Sequence, residues 1–471
     1  MSQEYASQVG SADSEVKPPP RQISAKGNPR ILGDADAHTE PLEIGALGLA
    51  LVAAIILIAA VGPSEASSSP DPHVAAILDR VTTTALMGDL AALSGETPVT
   101  IAGSPYTITT RNTRHTAAIS MTTRYAFEQL SACGLDVAYH AYTSGDFDGP
   151  RRNVVAEKLG RVDSDEVYLL TAHIDSLPDG ALAPGADDNG SGSVAVMRAG
   201  CLLAPEYFAH TLRFVLFTGE EQGLGGSRAY AAECAARGET IGGVVNLDMI
   251  GYNTGEPTFD AYAWSSPTAP GVDSRDLADK FSSLVTAYGL DLSPTRIDDD
   301  NFPIMYSDQW SFLEQGYPGI LVIEGLNADD FNPHYHRTSD TVDFINPHYF
   351  AELTKASVAS IAHLGQRLPT GILSGTARVS GGSPLPPMTI TAESKSYHGP
   401  FHLSAGPMDT FTASLPVGTY TVTVEPAHPF HLPAATRVGI TTDTLTTVDL
   451  VLSRAAAIYL PSVCRSSSAV R

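Results

Sequence analysis

The chain has 471 residues, and its 28 Lys and Arg against 52 Asp and Glu give a formal net charge of −24. This acidic balance argues against a nucleic-acid partner, because no excess of cationic side chains is present to release counterions from phosphates. With 43% apolar and 17% charged residues, the chain is too apolar to remain disordered and long enough for one large core plus a smaller domain.

The N-terminal part combines a polar tail with an apolar segment. Residues 1–41 hold Ser, Pro, Gly and mixed charges without periodicity, which predicts a disordered tail. Residues 44–61 carry no charge and can cross most of a bilayer, so 42–62 is predicted to be a transmembrane anchor or a signal segment. The basic residues of the tail place it in the cytoplasm and the bulk of the chain in an extracytoplasmic position. A small-x-small pattern ending at Ala66 would allow cleavage and secretion, although the long leader favours a retained membrane anchor.

Cysteine usage leaves the redox state open. Four cysteines are too few for a disulfide scaffold, and no Cys-x-x-Cys spacing predicts a thiolate zinc site. In an exported chain they permit one or two bridges, and a Cys201–Cys234 bridge would join two segments that we expect to be neighbours. Four buried, reduced thiols are an equal alternative. The four are Cys133, Cys201, Cys234 and Cys464.

Residues 73–368 alternate short β-rich runs with helical ones, which indicates an α/β domain with a mostly parallel central sheet flanked by helices. The predicted strands are nearly continuous apolar runs, as expected where helices cover both faces of a sheet. They lie at 153–159, 167–175, 212–219, 244–251 and 319–325. Helices are predicted at 117–132, 193–203 and 227–237, and the last one begins after the cap residue Asn346.

The composition changes after Pro369 to short Thr- and Val-rich runs separated by Gly and Pro, with strict alternation in 419–424. This pattern predicts a small β-sandwich at 372–453, followed by a C-terminal tail at 454–471. The segments LPVGTYTVTV and TTVDLVL resemble the carboxypeptidase regulatory-like modules that are attached to many exported peptidases. No group of residues in this part predicts catalysis.

The strand predicted at 167–175 ends in a His-Ile-Asp triplet. Ligands of open α/β sheets bind beyond the carboxyl ends of the strands, where His173 would lie. Asp175 lies on the same side of an extended chain, so its carboxylate can accept a hydrogen bond from the imidazole and fix the tautomer of a metal-bound histidine. A single histidine at a strand end is more often structural, so the interpretation depends on the carboxylates that follow.

Two pairs of adjacent carboxylates follow. The glycine-rich loop at 183–192 holds Asp187 and Asp188. One of them can cap the next helix, but two neighbouring carboxylates in an apolar loop are costly to bury without a cation. Glu220 and Glu221 follow the next strand and can divide metal binding and proton transfer between them, whereas an isolated pair would indicate a solvated turn.

Two later motifs complete the set. Asp248 stands inside the apolar strand predicted at 244–251, where an unpartnered charge would be costly. The loop at 332–341 supplies His334 and His336, with Asp340 four residues beyond the second histidine. Two histidines and three carboxylates form a nitrogen and oxygen ligand set that suits zinc, and a shared carboxylate can bridge two ions about 3.5–4 Å apart.

The ordered succession HxD, PGADDNGSG, GEE, NLDM and HRTSDT resembles the co-catalytic di-zinc aminopeptidase family, exported metallopeptidases that include bacterial leucyl aminopeptidases. The resemblance covers about residues 73–366 and implies the zinc exopeptidase fold and two Zn²⁺ ions. Carried over motif by motif, the resemblance implies that His173 and Asp248 hold one zinc ion and that Glu221 and His336 hold the other. Asp188 would bridge the two ions. Asp187 remains an alternative to Asp188, and His334 remains an alternative to His336.

The resemblance also implies catalytic roles. Glu220 would be the general base and Asp175 would orient His173. A zinc-bridging water, its pKa lowered towards ~7, would give a proton to Glu220 and attack the peptide carbonyl, and Glu220 would pass the proton to the leaving amine. The expected substrates are extracytoplasmic peptides with a free N-terminus.

One motif departs from the family pattern. Members often show Ser-Asp-His where this chain has Ser-Asp-Gln, and they place an oxyanion-stabilising Tyr where this chain has Ile304. Tyr306 is a candidate replacement. Asp308 is a candidate substrate-binding residue or, equally, a helix cap. The acidic run at 298–300 can line a patch for the substrate amine, although a solvated loop is the commoner explanation of such a run.

Other activities stay open at this point. A carboxypeptidase-like or glutaminyl cyclase-like enzyme on the same fold would use a similar ligand set, and a non-catalytic binding ectodomain would use none of it. The complete set of buried carboxylates argues against the ectodomain. A serine hydrolase is disfavoured because no complete G-x-S-x-G motif is present.

Overall fold

The computed structural model of the protein describes residues 70–299, 304–326, 330–380, 387–404, 410–427 and 431–454. The predicted tail, the apolar segment at 44–61 and the cleavage pattern at Ala66 lie outside these ranges, as does the C-terminal tail beyond Arg454. Within the described ranges, no helix combines the length and the apolar character that crossing a bilayer requires. The membrane segment and the location of the chain therefore stay predictions.

The first part of the described chain alternates helices and strands. Its helices are α1 (Pro72–Leu78), α2 (Thr83–Leu93), α3 (Thr116–Ala132), α4 (Gly192–Leu203), α5 (Gly225–Arg237), α6 (Gly271–Ala287), α7 (Gln309–Leu313) and α8 (Pro347–Leu364). Its strands are β1 (Val99–Ile101), β2 (Ser104–Tyr106), β3 (Asp136–Tyr142), β4 (Arg151–Lys158), β5 (Asp163–His173), β6 (His210–Phe217), β7 (Thr240–Leu247), β8 (Thr258–Trp264), β9 (Ser293–Asp299) and β10 (Gly319–Glu324).

Eight of these strands form one sheet in the order β3-β4-β6-β5-β7-β10-β8-β9. The four central strands β6, β5, β7 and β10 are parallel to one another. The strands β3, β4 and β8 are added to these four through antiparallel pairs. The predicted α/β sheet is confirmed, and its edges make it mixed. In register, His173 pairs with Phe217, and Leu247 pairs with Val322. The carboxyl ends of the central strands therefore lie along one edge.

Side chains of the central strands alternate between the two faces of this sheet, as extended chains require. Leu170 and Ala172 of β5 join the large apolar cluster that also contains side chains of α2, α3, α4, α6 and α8. Leu169 of the same strand joins a smaller cluster with Cys234 of α5 and Phe312 of α7. Helices thus cover both faces, which explains why these strands read as continuous apolar runs.

Three of the predicted strands end at least two residues earlier than the sequence pattern indicates. They end at His173, Phe217 and Leu247, because the apolar runs continue into buried loops that leave the sheet. The prediction that Asp248 stands inside a strand is wrong, since Asp248 is the first residue beyond β7. The helix capped by Asn346 is confirmed, because its side chain accepts hydrogen bonds from the amides of His348 and Tyr349.

A disulfide joins Cys133, at the end of α3, to Cys201 in α4. Both alternatives left open by the sequence, a Cys201–Cys234 bridge and four reduced thiols, are therefore wrong. Cys234 is a buried free thiol that packs on the opposite face of the sheet from Cys201, so the sheet itself separates the two. Cys464 lies outside the described residues.

Residues from Thr370 onwards form two further sheets of four strands. They are β11 (Thr370–Val379), β12 (Met388–Glu393), β13 (Phe401–Leu403), β14 (Thr410–Pro416), β15 (Gly418–Pro426), β16 (His431–Leu432), β17 (Ala434–Ile440) and β18 (Leu445–Arg454). The sheet orders are β14-β11-β18-β16 and β13-β12-β15-β17. Side chains of both sheets share one apolar cluster around the fully buried Tyr420, over the residues for which a sandwich is predicted.

Candidate metal centre

Titratable side chains gather at the carboxyl ends of the parallel strands. His173 is the last residue of β5, Glu220 and Glu221 follow β6, and Asp248 follows β7. Asp188 comes from the short turn between β5 and α4. The sheet therefore brings together residues that are distant in sequence, at the edge where open α/β sheets bind ligands.

His173 makes the first half of this site. Its Nε2 lies 3.3 Å from Asp248 Oδ1 and 3.4 Å from Asp188 Oδ1. The histidine is 1% exposed. Burial disfavours its charged form, but the carboxylates of Asp248 and Glu220 outweigh burial and hold the pKa of His173 well above its ordinary value. An imidazole surrounded by carboxylates in this way is in a strongly negative environment.

His336 makes the second half. Its Nε2 lies 3.2 Å from Asp188 Oδ2 and 3.1 Å from Glu221 Oε2. The histidine is held at a φ of +58°, a conformation that a non-glycine residue rarely adopts. Each carboxylate oxygen of Asp188 thus faces a different histidine. This is the arrangement expected of a carboxylate shared by two ions.

These distances fit zinc. Ligand atoms about 2.0–2.1 Å from a tetrahedral zinc ion lie about 3.3 Å from one another. The four separations between the histidine nitrogens and the carboxylate oxygens of Asp188, Glu221 and Asp248 span 3.1–3.4 Å.

Two buried oxygens of this set, Asp188 Oδ2 and Glu221 Oε1, also lack a hydrogen bond from any described residue. Buried carboxylate oxygens without donors are costly, and a divalent cation would satisfy them.

Glu220 lies beside the two histidine-carboxylate groups. Its Oε2 is 4.0 Å from His173 Nε2, beyond hydrogen-bond distance. Burial raises the pKa of Glu220 well above its ordinary value, and Glu221 and Asp248 raise it further while His173 opposes them. A buried carboxyl group with a raised pKa next to a metal site is suited to accepting and returning a proton.

Asp175 contacts both His173 and the Glu220–Glu221 turn. The carbonyl oxygen of Asp175 is 3.2 Å from His173 Nδ1, and its carboxylate is 3.7 Å away. The carboxylate also accepts weak 3.4 Å hydrogen bonds from the amides of Glu220 and Glu221. Asp175 therefore links the imidazole to the turn that carries the two glutamates, which is more than the orienting role predicted for it.

Asp187 and His334, the alternative ligands that the sequence left open, contact residues outside the candidate metal centre. Asp187 is fully buried, and its carboxylate accepts from the amide of Gly251 and from Asn332 Nδ2. His334 Nδ1 lies 2.8 Å from Ser339 Oγ, and its ring stacks on Phe344 at 3.6 Å. The structure thus directs Asp188 and His336 into the site.

A hydrogen-bonded chain behind Asp248 was not predicted. Thr171 donates to Asn246 Oδ1 at 2.7 Å, Asn246 donates to Ser307 Oγ at 2.8 Å, and Ser307 donates to Asp248 Oδ2 at 2.7 Å. These bonds leave Asp248 Oδ1 to face His173. The only sequence signals were the polar Asn246 within an apolar strand and the Ser307-Asp308 pair, and neither indicated this contact.

The turn that carries Asp188 is held in position by hydrogen bonds to Asp340 and by a glycine. The carboxylate of Asp340 accepts hydrogen bonds from the amides of Asp187 and Asp188, at 3.0 Å each. Gly185 holds a φ of +48°, and a Cβ there would lie 2.4 Å from Asp188 O and 2.6 Å from the side chain of Ser176. Glycine is therefore required at this position of the PGADDNGSG motif.

Arg111 is a fully buried cation beneath the same turn. Its guanidinium donates to the carbonyl oxygens of Leu93, Ile174, Pro184 and Gly185, with distances of 3.2 Å to Leu93, 2.7 Å to Ile174 and 2.8 Å to Gly185. Burial lowers its pKa to about 10, and the nearby carboxylates oppose this. No sequence motif indicated this residue.

We expect Arg111→Met to lower the free energy of unfolding by about 3–5 kcal/mol, because four buried carbonyls and nearby carboxylates lose their partner. Denaturant unfolding monitored by fluorescence measures the change. The matched control is Arg124→Met, which removes an exposed arginine that pairs with Glu128 on the same helix. Equal stability of the two variants would contradict the role given to Arg111.

The candidate substrate residues lie at one side of the site. Tyr306 belongs to a short 3₁₀ turn and is 52% exposed, while Ile304 in the same turn is buried. Asp308 is fully buried, and neither of its carboxylate oxygens has a hydrogen bond from the described residues. It occupies the N-cap position of α7, but its side chain does not cap the helix. Burial raises the pKa of Asp308 to about 7, with Asp175 and Asp248 adding to the effect against His173.

The first two residues of the acidic run, Asp298 and Asp299, lie on the edge strand β9. Asp298 pairs with Arg296 at 2.9 Å, and Asp300 lies outside the described residues. The solvated interpretation therefore fits Asp298 better than a substrate patch.

Comparison with known proteins agrees with the resemblance drawn from the motifs. Residues 153–361 match the family model of Peptidase family M28. Leucine aminopeptidase 1 of Trichophyton equinum is 31% identical over 233 residues, which is 46% of this chain and 58% of the relative. Leucine aminopeptidase 1 of Trichophyton rubrum is 31% identical over 226 residues, with the same two shares. The chain thus spans less than two thirds of the length of these relatives.

Solved structures share the fold. The LapA aminopeptidase of Legionella pneumophila superposes with a TM-score of 0.53 at 21% identity, covering 64% of this chain and 76% of that one. LapB of the same organism gives a TM-score of 0.52 at 18% identity, over 64% of this chain and 77% of that chain. The family match ends at residue 361, so the resemblance of 372–453 to carboxypeptidase regulatory-like modules stays a prediction.

Proposed function

We propose that this chain, whose residues 153–361 match Peptidase family M28, is a zinc-dependent aminopeptidase that removes N-terminal residues from extracytoplasmic peptides. The observation that carries the proposal is the position of Asp188, whose two carboxylate oxygens lie 3.4 Å and 3.2 Å from the nitrogens of His173 and His336. Two zinc ions would be held there, one with Asp248 and the other with Glu221.

The chemistry divides between the metal and the protein. Bound zinc lowers the pKa of a coordinated water and polarises the peptide carbonyl. Glu220 accepts the proton of the attacking water and delivers it to the leaving amine, for which its buried position beside His173 is suited. Asp175, Ser307 and Asp340 hold the imidazole, Asp248 and the Asp188 turn in place through the contacts described above.

Selection of a free amino end follows from the charge of the site. Its carboxylates favour a cationic group, and Asp308 adds to this negative potential when it is ionised. Full burial of Asp308 argues for an effect through the field rather than for direct contact with the substrate. Tyr306 is more exposed and is the better candidate for substrate contact.

Two features support an extracytoplasmic location. The apolar segment at 44–61 would export the chain or anchor it in the membrane. The Cys133–Cys201 disulfide fits an oxidising compartment, since disulfides are rare in the cytosol.

The test uses the full chain and peptides that differ only in their ends. We expect release of the first residue from unblocked peptides, none from N-acetylated ones, loss of activity with a chelator and recovery with added zinc. Peptides beginning with Leu are the first choice, because the relatives are named for that residue. Release from the carboxyl end would indicate a carboxypeptidase, and cyclisation of N-terminal Gln a glutaminyl cyclase. Absence of tightly bound zinc together with absence of turnover would support a binding ectodomain.

A further inference from the structure

A second cluster of potential metal ligands lies at the opposite end of the sheet from the site described above. It contains Asp163 and Glu166 near the start of β5 and His210 at the start of β6. From His210, β6 runs seven residues to Phe217, the partner of His173, a span of roughly 23 Å at about 3.3 Å per residue. The cluster is therefore separate from the candidate metal centre.

The geometry of the three side chains is compact. One potential ligand atom from each lies within 4.8 Å of the others. His210 Nδ1 is 3.5 Å from Glu166 Oε2. An irregularity in the pairing of β5 with β6 between Asp163 and Val167 allows Asp163 and Glu166, three positions apart, to reach the same histidine.

The buried histidine supplies an independent observation. His210 is 8% exposed, and its Nδ1 is buried without a hydrogen-bond partner among the described residues. A buried imidazole nitrogen of this kind is costly unless a proton donor or a cation satisfies it. The nitrogen faces the carboxylate of Glu166 at 3.5 Å, and a cation between them would satisfy both groups.

The neighbours hold the cluster in position. Tyr168 donates its hydroxyl to Glu166 Oε1 at 2.7 Å, which leaves Oε2 for the histidine side. The rings of Tyr168 and His210 meet edge to face at 5.7 Å. The His210 amide donates to Gly365 O at 3.1 Å. Two of the three side chains are therefore oriented by contacts other than those between themselves, as is usual around metal ligands.

We propose that Asp163, Glu166 and His210 bind one Zn²⁺ ion, with water completing the coordination. One imidazole and two carboxylates suit zinc, whereas calcium takes six to eight oxygen ligands, and magnesium prefers oxygen ligands alone. The site has a structural role, since it lies far from the residues given catalytic roles. Its loss therefore leaves the peptidase centre intact.

The position of this ion gives it a role at a junction. Next to Asp163, the carbonyl of Val162 lies 2.8 Å from His398 Nε2, and Arg161 Nη1 donates to His398 O at 3.0 Å. The guanidinium of Arg161 also lies 4.6 Å from the ring centroid of Phe401. The ion ties the start of β5 to the start of β6, next to the contacts between Arg161 and Val162 and the C-terminal residues His398 and Phe401.

The experiment measures zinc bound by the full chain at equilibrium, by dialysis against buffered zinc and elemental analysis of the protein. The test variants are Asp163→Asn and Glu166→Gln. The matched control is Asp165→Asn, which removes the same charge from an exposed neighbouring residue that is not part of the cluster. None of these residues belongs to the candidate metal centre, so peptidase activity serves as a check that each variant folds.

We expect the unaltered chain and the control to bind one zinc ion more than either test variant, or to bind it at least about tenfold more tightly. Saturating zinc should also raise the melting temperature of the unaltered chain above that of the test variants. Equal zinc binding by all four proteins would overturn the proposal, and so would displacement of the additional zinc by equimolar calcium.

Discussion

Replacing Glu220 with Gln is expected to reduce kcat by about 10²–10⁴-fold while the protein keeps its zinc. The amide has nearly the shape of the carboxyl group but cannot accept the proton of the attacking water. Zinc is retained because Glu220 is not one of the five proposed ligands, and its Oε2 lies 4.0 Å from His173 Nε2.

Kinetics on unblocked peptides and elemental analysis of the same preparation measure the two effects together. Glu256→Gln is the matched control, because this substitution makes the same chemical change at an exposed residue away from the site. Ordinary turnover in the Glu220 variant would remove the proton-transfer role from this residue. Loss of zinc along with activity would instead make Glu220 a ligand.

His173→Ala should lose both zinc and turnover. His173 Nε2 faces Asp248 and Asp188 together, so its removal leaves two buried carboxylates without the nitrogen that completes the ligand set. We expect the zinc content to fall by at least one ion and kcat/KM to fall by more than about 10³-fold.

The control for this variant is His348→Ala, because His348 is an exposed histidine that pairs with the exposed Asp291. Elemental analysis and kinetics should find the control indistinguishable from the unaltered chain. A His173 variant that keeps its full zinc content would show that the cation sits elsewhere and that the ligand assignment is wrong.

The sequence by itself determined the parts of this protein that depend on local pattern. Apolar runs that end in the triplet from His173 to Asp175, run into the Glu220–Glu221 pair or contain Asp248 predicted buried strands with polar residues at or near their carboxyl ends. Because carboxyl ends of parallel strands share one edge, the convergence of these motifs followed from the fold class. The errors concern boundaries: Asp248 lies one residue beyond its strand, since an apolar run does not distinguish a strand from the buried loop that continues it.

Tertiary structure alone decided which member of each candidate pair faces the site. Asp187 and Asp188 are adjacent and chemically identical, and only the contacts of the turn with Asp340 and Asn332 direct one to the histidines. His334 and His336 were separated in the same way by Ser339 and Phe344.

The tertiary structure also decided the contacts between residues that no local motif connects. The Cys133–Cys201 bridge and the Asp163–Glu166–His210 cluster join residues at least 44 positions apart, and the buried Arg111 contacts distant backbone. Hydrogen bonds and burial act between neighbours in space. A sequence pattern reports such neighbours only within one helix or strand, where the backbone geometry fixes which residues meet.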